Sequence, residues 1–398
     1  MKAGYFALTL CSVLLCLTSC SKERQIPDHS GPKPRPVLTD PHPTARAAAL
    51  WENMVDLLDR GTLFGAQIPT EYGLSGGTRW EDDGTASRSD TKEITGSHPA
   101  VCGWEISRIE LDSLRNIDHE PFETIRRHII AAYERGAVNT ISWHCTNPKT
   151  MGSSWDPTRA VYTIIPGGEK HEMFRTWLDK VAAFFGSLVS STGEPIPLIF
   201  RPWHEHTGSG FWWGKGNASR EEFVALWRFT VEYLRDVKGL HQLIWAYSPD
   251  MVHISSRDTY MEYWPGDSYV DILGLDAYDR AGGDYGHKCL QLCRLGNVIA
   301  GERAKIFALT ETGLQNNDPE HSKYYNKNWW TRMLYKVING ERVSFALVWR
   351  NDNLPTKGGE YFNAFKGCYS EADFLKFSSY GNVLLEKDLP DMYHYAGR

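Results

Sequence analysis

Pro197-Leu198-Ile199-Phe200-Arg201-Pro202-Trp203-His204-Glu205-His206 changes character halfway along. Its first half is an apolar run of strand length. Its second half crowds aromatic rings, imidazoles and a carboxylate into six positions. Strands covered on both faces read as continuous apolar runs, and in an α/β barrel the residues at their C-terminal ends build the site. The same pattern recurs at Leu63–Gln67, Ala100–Glu105, Val138–His144, Leu243–Tyr247, Asp271–Tyr278, Ile306–Glu311 and Ser344–Trp349. With Pro197–Pro202 these make eight strand candidates. Helical patterns lie between them. Phe122–Arg135 runs to a stop at Gly136, and Met173–Phe185 puts Phe174, Trp177, Leu178 and Val181 on one face. Ser219-Arg220-Glu221-Glu222 reads as a capping box opening a helix through Val237, and Asn328–Ile338 is a further helix. Eight alternations of strand and helix predict a (β/α)8 TIM barrel, a single catalytic domain over residues 44–398. An open doubly wound sheet is the rival, but no strand is followed by a glycine-rich phosphate turn.

Polar and aromatic residues gather at the strand ends. The third candidate ends in Trp143-His144-Cys145-Thr146-Asn147-Pro148, the sixth in Asp276-Ala277-Tyr278-Asp279, the seventh in Thr310-Glu311-Thr312-Gly313, and the eighth in Trp349-Arg350-Asn351-Asp352. Core packing does not require such a rim. Glu205 and Glu311 end the fourth and seventh strands, which face each other across a barrel mouth. A carboxylate pair there suits glycoside hydrolysis, where one group protonates the leaving oxygen and the other attacks or activates water. His204-Glu205-His206 lacks the spacing of H-E-x-x-H, and no Cys/His pair completes a metal site, so neither metal nor cofactor is expected. No G-x-S-x-G elbow supports a serine nucleophile.

Composition narrows the field further. The 398 residues are 41% hydrophobic and 23% charged, enough apolar content for a packed core. A net charge of -6 without a basic block argues against nucleic acid. Fifteen Trp, 19 Tyr and 16 Phe suggest that some rings serve as platforms for the apolar faces of sugars. At the N-terminus, Lys2 precedes an apolar run from Phe6 to Leu17, too short to span a bilayer. It closes on Leu17-Thr18-Ser19-Cys20, which resembles a bacterial lipobox with Cys20 as lipid anchor. Residues 1–20 are therefore expected to be a lipoprotein signal peptide, residues 21–43 a proline-rich flexible linker. The expected location is the bacterial cell envelope, lipid-anchored at the outer membrane. Of eight Cys, five lie beyond Cys20. An odd number cannot all pair, and buried free thiols are expected. The chain is expected to act as a monomer.

The strings R-P-W-H-E-H-T-G-S-G-F-W-W-G at 201–214, A-L-T-E-T-G at 308–313, S-W-H-C-T-N-P at 142–148 and G-W-E at 103–105 resemble glycoside hydrolase family 26. The resemblance extends over nearly all of residues 45–390. That family consists mainly of retaining β-1,4-mannanases on (β/α)8 barrels. The resemblance implies that Glu205 is the acid/base and Glu311 the nucleophile. It implies substrate contacts from His144, Trp203, His204, Trp212, Trp213, Tyr278, Trp349 and Arg350, with Tyr278 bonded to the nucleophile. The implied substrate is mannan, galactomannan or glucomannan. β-Glucanase or xylanase activity, or a catalytically dead glycan-binding lipoprotein, are the alternatives. Several members carry Trp five residues after the acid/base, where this chain has Gly210, which puts aglycone-side stacking in question.

Overall fold

The computed structural model describes Met1, residues 35–280 and residues 284–397. Eight parallel strands form a closed ring: β1 (Thr62–Gln67), β2 (Val101–Glu105), β3 (Val138–Ser142), β4 (Leu198–Arg201), β5 (Leu243–Tyr247), β6 (Ile272–Asp279), β7 (Ile306–Leu314) and β8 (Val343–Val348). Pairing of β8 with β1, Leu63 opposite Phe345 and Ala66 opposite Val348, closes the barrel. The expected (β/α)8 architecture is therefore the observed one, and each expected strand is present. The apolar runs are explained by burial: β2, β3, β4 and β5 are buried at every position.

The helices form where caps and apolar stripes allow. Ser219 Oγ accepts the Glu222 N–H while the Glu222 carboxylate accepts the Ser219 N–H at 2.8 Å, so the helix Arg220–Glu232 opens on a true capping box. It continues into a π-helical turn, Tyr233–Val237. The helix Phe122–Glu134 stops before Gly136, whose φ of 91° is open to glycine at little cost. The helix expected at Asn328–Ile338 is a π-turn, Trp330–Leu334, followed by Tyr335–Ile338.

Two elements depart from the sequence reading. A hairpin pairs Tyr72–Ser75 with Thr78–Glu81 around Gly76 and Gly77, both at positive φ, as a tight turn between twisted strands demands. The Asp90 carboxylate beneath it accepts the Leu74 N–H and the Trp80 indole N–H. The linker reading fails over residues 35–43. There Thr39 N–H donates to Asp271 Oδ1 at 2.6 Å, Val37 N–H to the Ala304 carbonyl, and Asp40 is buried against His241 at 2.9 Å. Fixed polar partners hold these residues on the barrel. Cys20 and the lipobox lie outside the described residues. Cys102, Cys145, Cys289, Cys293 and Cys368 are unpaired thiols, the first four buried.

Candidate active site

The turn after β4 sets the site. Trp203 and Glu205 both adopt φ near 51°, the left-handed region that non-glycine residues avoid at roughly 1–2 kcal/mol each. Packing imposes it. Trp203 is fully buried and meets Trp212 and Trp213 edge-on at 5.5 Å. The Glu205 N–H is tied to the Ser248 carbonyl at 2.8 Å, which fixes where its side chain emerges.

This corrects the expectation that Trp203, Trp212 and Trp213 contact substrate. All three are fully buried, and their indole N–H groups donate inward, to Thr230 Oγ1, the Cys145 carbonyl and the His204 carbonyl. They brace the floor beneath the turn that carries Glu205. His206, expected to flank the acid, is likewise packed between the Phe223 and Tyr247 rings at 4.6 and 4.4 Å. Burial holds its imidazole neutral, down to about 3.

Glu311, on β7, sits opposite. The Tyr278 hydroxyl, from β6, donates to its Oε2 at 2.6 Å, and the Arg201 guanidinium bonds its Oε1. Arg201 also donates to Asp276 Oδ2 at 2.8 Å. One oxygen from each of Glu205, Asp276 and Glu311 lies within 4.8 Å of the others. Such a trio could hold a cation, but Arg201 already supplies the countercharge to two of its members.

The three carboxyls are not equivalent. Burial first, then the charges of Asp276 and Glu311, push Glu205 well above the ordinary range. Burial pushes Asp276 up as well, but the Arg201 charge and the hydrogen bonds from Thr310 and Ser248 pull it back. Asp276 accepts from Arg201, Ser248 and Thr310. Among the described residues no donor reaches the Glu205 carboxyl, so Glu205 is the group that keeps a proton.

Beside them runs a second network. Buried Glu105, from β2, accepts His144 Nδ1 at 2.7 Å. Burial lowers His144, but the Glu105 charge and hydrogen bond outweigh it and the net shift is upward. His144 Nε2 meets His204 Nε2 at 3.2 Å. Burial, Arg201 and His144 hold His204 well below its usual range, so His204 is the member of the pair that stays neutral.

A cleft of about 580 Å³ opens over this floor, lined by His144, Trp155, His204, Glu205, Glu311 and Trp349, among others. An adjoining recess of about 230 Å³ is lined by Gly208, Gly210, Asp250 and His253. Both share Glu205, Phe211, Tyr278 and Arg280, so Glu205 stands at their junction. Trp349, His144, His204 and Tyr278 therefore reach the cleft as expected. Arg350 stands behind the wall, paired with Asp118 at 3.1 Å and with cleft-lining Glu360 at 3.9 Å. Sequence reasoning missed Trp155, 51% exposed and stacked on His144 at 5.2 Å. It also left Glu105 and Asp276 without roles. A Trp following Gly and Ser in the segment after the third strand, Gly152-Ser153-Ser154-Trp155, was the available signal for the first; burial, invisible in sequence, marks the other two.

A closed barrel with glutamates converging from β4 and β7 defines the class of barrel glycosidases with paired carboxylates. Residues 39–320 match the model of glycosyl hydrolase family 26. A mannan endo-1,4-beta-mannosidase of Bifidobacterium adolescentis is 32% identical over 89% of this chain, and one of Bacillus subtilis 31% identical over 52%. The matched stretches span 36% and 58% of those proteins, so the chain corresponds to only part of their length. The solved structure of a GH26 beta-mannanase from Bacteroides ovatus superposes with a TM-score of 0.82 at 38% identity, covering 89% of this chain and 99% of that one. This chain belongs to glycosyl hydrolase family 26.

The electrostatics predict a stability change of definite sign. The folded state raises the Glu205 pKa, so wild-type stability falls as pH climbs above the unfolded value near ~4.3. Glu205→Gln removes that penalty. Its melting temperature should exceed wild type at pH 7, with the gap closing near pH 4. A variant less stable than wild type at pH 7 contradicts the assignment of the buried proton.

Proposed function

We propose that this protein is a retaining glycoside hydrolase that cleaves β-1,4-mannosidic bonds in mannan, galactomannan or glucomannan. The observation that carries the proposal is the approach of Glu205 and Glu311 to within 4.8 Å in opposite environments. Retaining enzymes hold their carboxyls about 5–5.5 Å apart; inverting enzymes need several ångströms more for a water.

The steps follow from the geometry. Glu311, aimed by Tyr278 and Arg201, attacks the anomeric carbon. Glu205 gives its proton to the departing glycosidic oxygen, and a glycosyl ester forms on Glu311. Esterification removes the negative charge that helped hold the proton on Glu205. Its pKa falls, and as a carboxylate it takes a proton from the water that cleaves the ester. His144, Trp155 and Trp349 would cradle the sugar being transferred. The mannan preference rests on likeness to relatives named for that activity.

We further propose that the chain is a lipoprotein of the bacterial envelope, tethered through Cys20. Lys2, the apolar run Phe6–Leu17 and the Leu17–Cys20 string support this.

Glu205→Ala should lower turnover of mannan by about 10²–10⁴-fold, the usual worth of a proton donor. An aryl mannoside whose leaving group needs no proton should still form the glycosyl ester, so its kcat/KM should fall far less, while loss of the base slows breakdown of that ester. Equal losses on both would reassign the acid, and a parent enzyme faster on mixed-linkage glucan or xylan than on mannan would reassign the substrate. Cys20→Ala should move the protein from membrane to soluble fraction; unchanged partitioning contradicts the anchor.

A further inference from the structure

The recess beside the cleft, of about 230 Å³, borders Glu205 but not Glu311. That difference gives it a direction. A sugar attacked by Glu311 lies in the cleft, and the oxygen protonated by Glu205 leads away from it on the acid's side. The departing sugar therefore enters the recess. Little there can stack on it. A Cβ at Gly210 would meet nothing within 4 Å, so that wall is open. Phe211 is 4% exposed and already packed flat against Trp213 at 4.5 Å. The Tyr278 hydroxyl is committed to Glu311. Of the polar groups that remain, Arg280 borders the cleft as well, whereas His253 borders the recess alone.

The His253 ring is fixed in place. Asp250 opens the short helical turn Met251–His253, and its Oδ1 accepts the Val252 and His253 N–H groups. The same oxygen lies 2.7 Å from His253 Nδ1. Thr207, two residues after Glu205, donates its hydroxyl to Asp250 Oδ2 at 2.6 Å, which ties the ring to the turn that carries the acid. Gly208 lies directly against it: a Cβ there would come within 2.8 Å of Cε1 and 3.0 Å of Nδ1. A carboxylate acceptor puts the ring proton on Nδ1 and leaves a lone pair on Nε2. Among the described residues nothing bonds Nε2, and the side chain is 51% exposed. An acceptor held this rigidly loses little freedom when it takes a hydroxyl donor.

We propose that His253 recognises the sugar on the leaving side of the scissile bond, its Nε2 accepting a hydrogen bond from a hydroxyl of that sugar, with Asp250 and Gly208 as positioning residues. The inference rests on the reading of Glu205 and Glu311 as a glycosidase pair and adds to it a determinant for the departing sugar. The same contact serves the reverse approach. An acceptor sugar entering the recess replaces Glu311 at the anomeric carbon and gives its hydroxyl proton to Glu205.

The test compares kcat/KM of the full-length chain on mannotetraose and on 2,4-dinitrophenyl β-mannobioside, whose aryl leaving group has no hydroxyl. His253→Ala should lower the ratio of the first to the second by roughly 3–10-fold, what one neutral hydrogen bond contributes. With mannobiose added, it should also lower the share of glycosyl ester passed to that sugar rather than to water, a product ratio that a merely structural role would not move. Equal losses on both substrates, or an unchanged share of transfer, overturns the inference while leaving the glycosidase reading intact. A wild-type chain that cleaves neither substrate overturns that reading, and the inference with it. Should His253→Ala melt well below wild type, Gly208→Ala, whose Cβ displaces the ring, decides by the same two ratios.

Discussion

Arg201 is the constraint on which the site depends. Its guanidinium leaves the end of β4 and bridges two carboxylates, Asp276 on β6 and Glu311 on β7. All three are buried, and a buried charge is tolerable only when paired. Removing one partner of such a group typically costs about 3–5 kcal/mol. The same contacts that make the ion cluster tolerable therefore fix the direction of the Glu311 carboxylate, together with Tyr278 from β6. Barrel closure brings β4, β6 and β7 within reach of one another, and the fold positions the site through that cluster.

Glu205 differs from Glu311 because of what the turn denies it. Arg201 and Tyr278 are spent on Glu311. Glu205 emerges from a left-handed backbone position above a floor of buried tryptophans, facing two further carboxyls. Two chemically identical side chains thus stand in different surroundings, the difference that the proposed acid and nucleophile need. The imidazole pair beside them is divided too, with Glu105 raising His144 and burial keeping His204 neutral.

The architecture was legible because eight apolar runs of strand length cannot be solvated separately. Glu205 and Glu311 were legible because strand ends are where ionisable residues have no packing purpose. The tryptophans were misread for a physical reason. F-W-W beside the acid looks the same in sequence whether the rings face sugar or protein. The turn at Trp203 and Glu205 sends Phe211 to the cleft and Trp212 and Trp213 to the floor. The Tyr72–Glu81 hairpin escaped notice because its strands are four residues long and largely polar in one arm. Residues 35–43 escaped it because composition reports extension, not attachment.

The account turns on two carboxyls too close for an intervening water. Proton NMR of a β-1,4-mannan digest, recorded before mutarotation, tests that most directly. The account predicts that the β-anomer appears first and the α-anomer grows in later as equilibrium is reached. Initial appearance of the α-anomer would mean direct attack by water, and would contradict Glu311 as nucleophile.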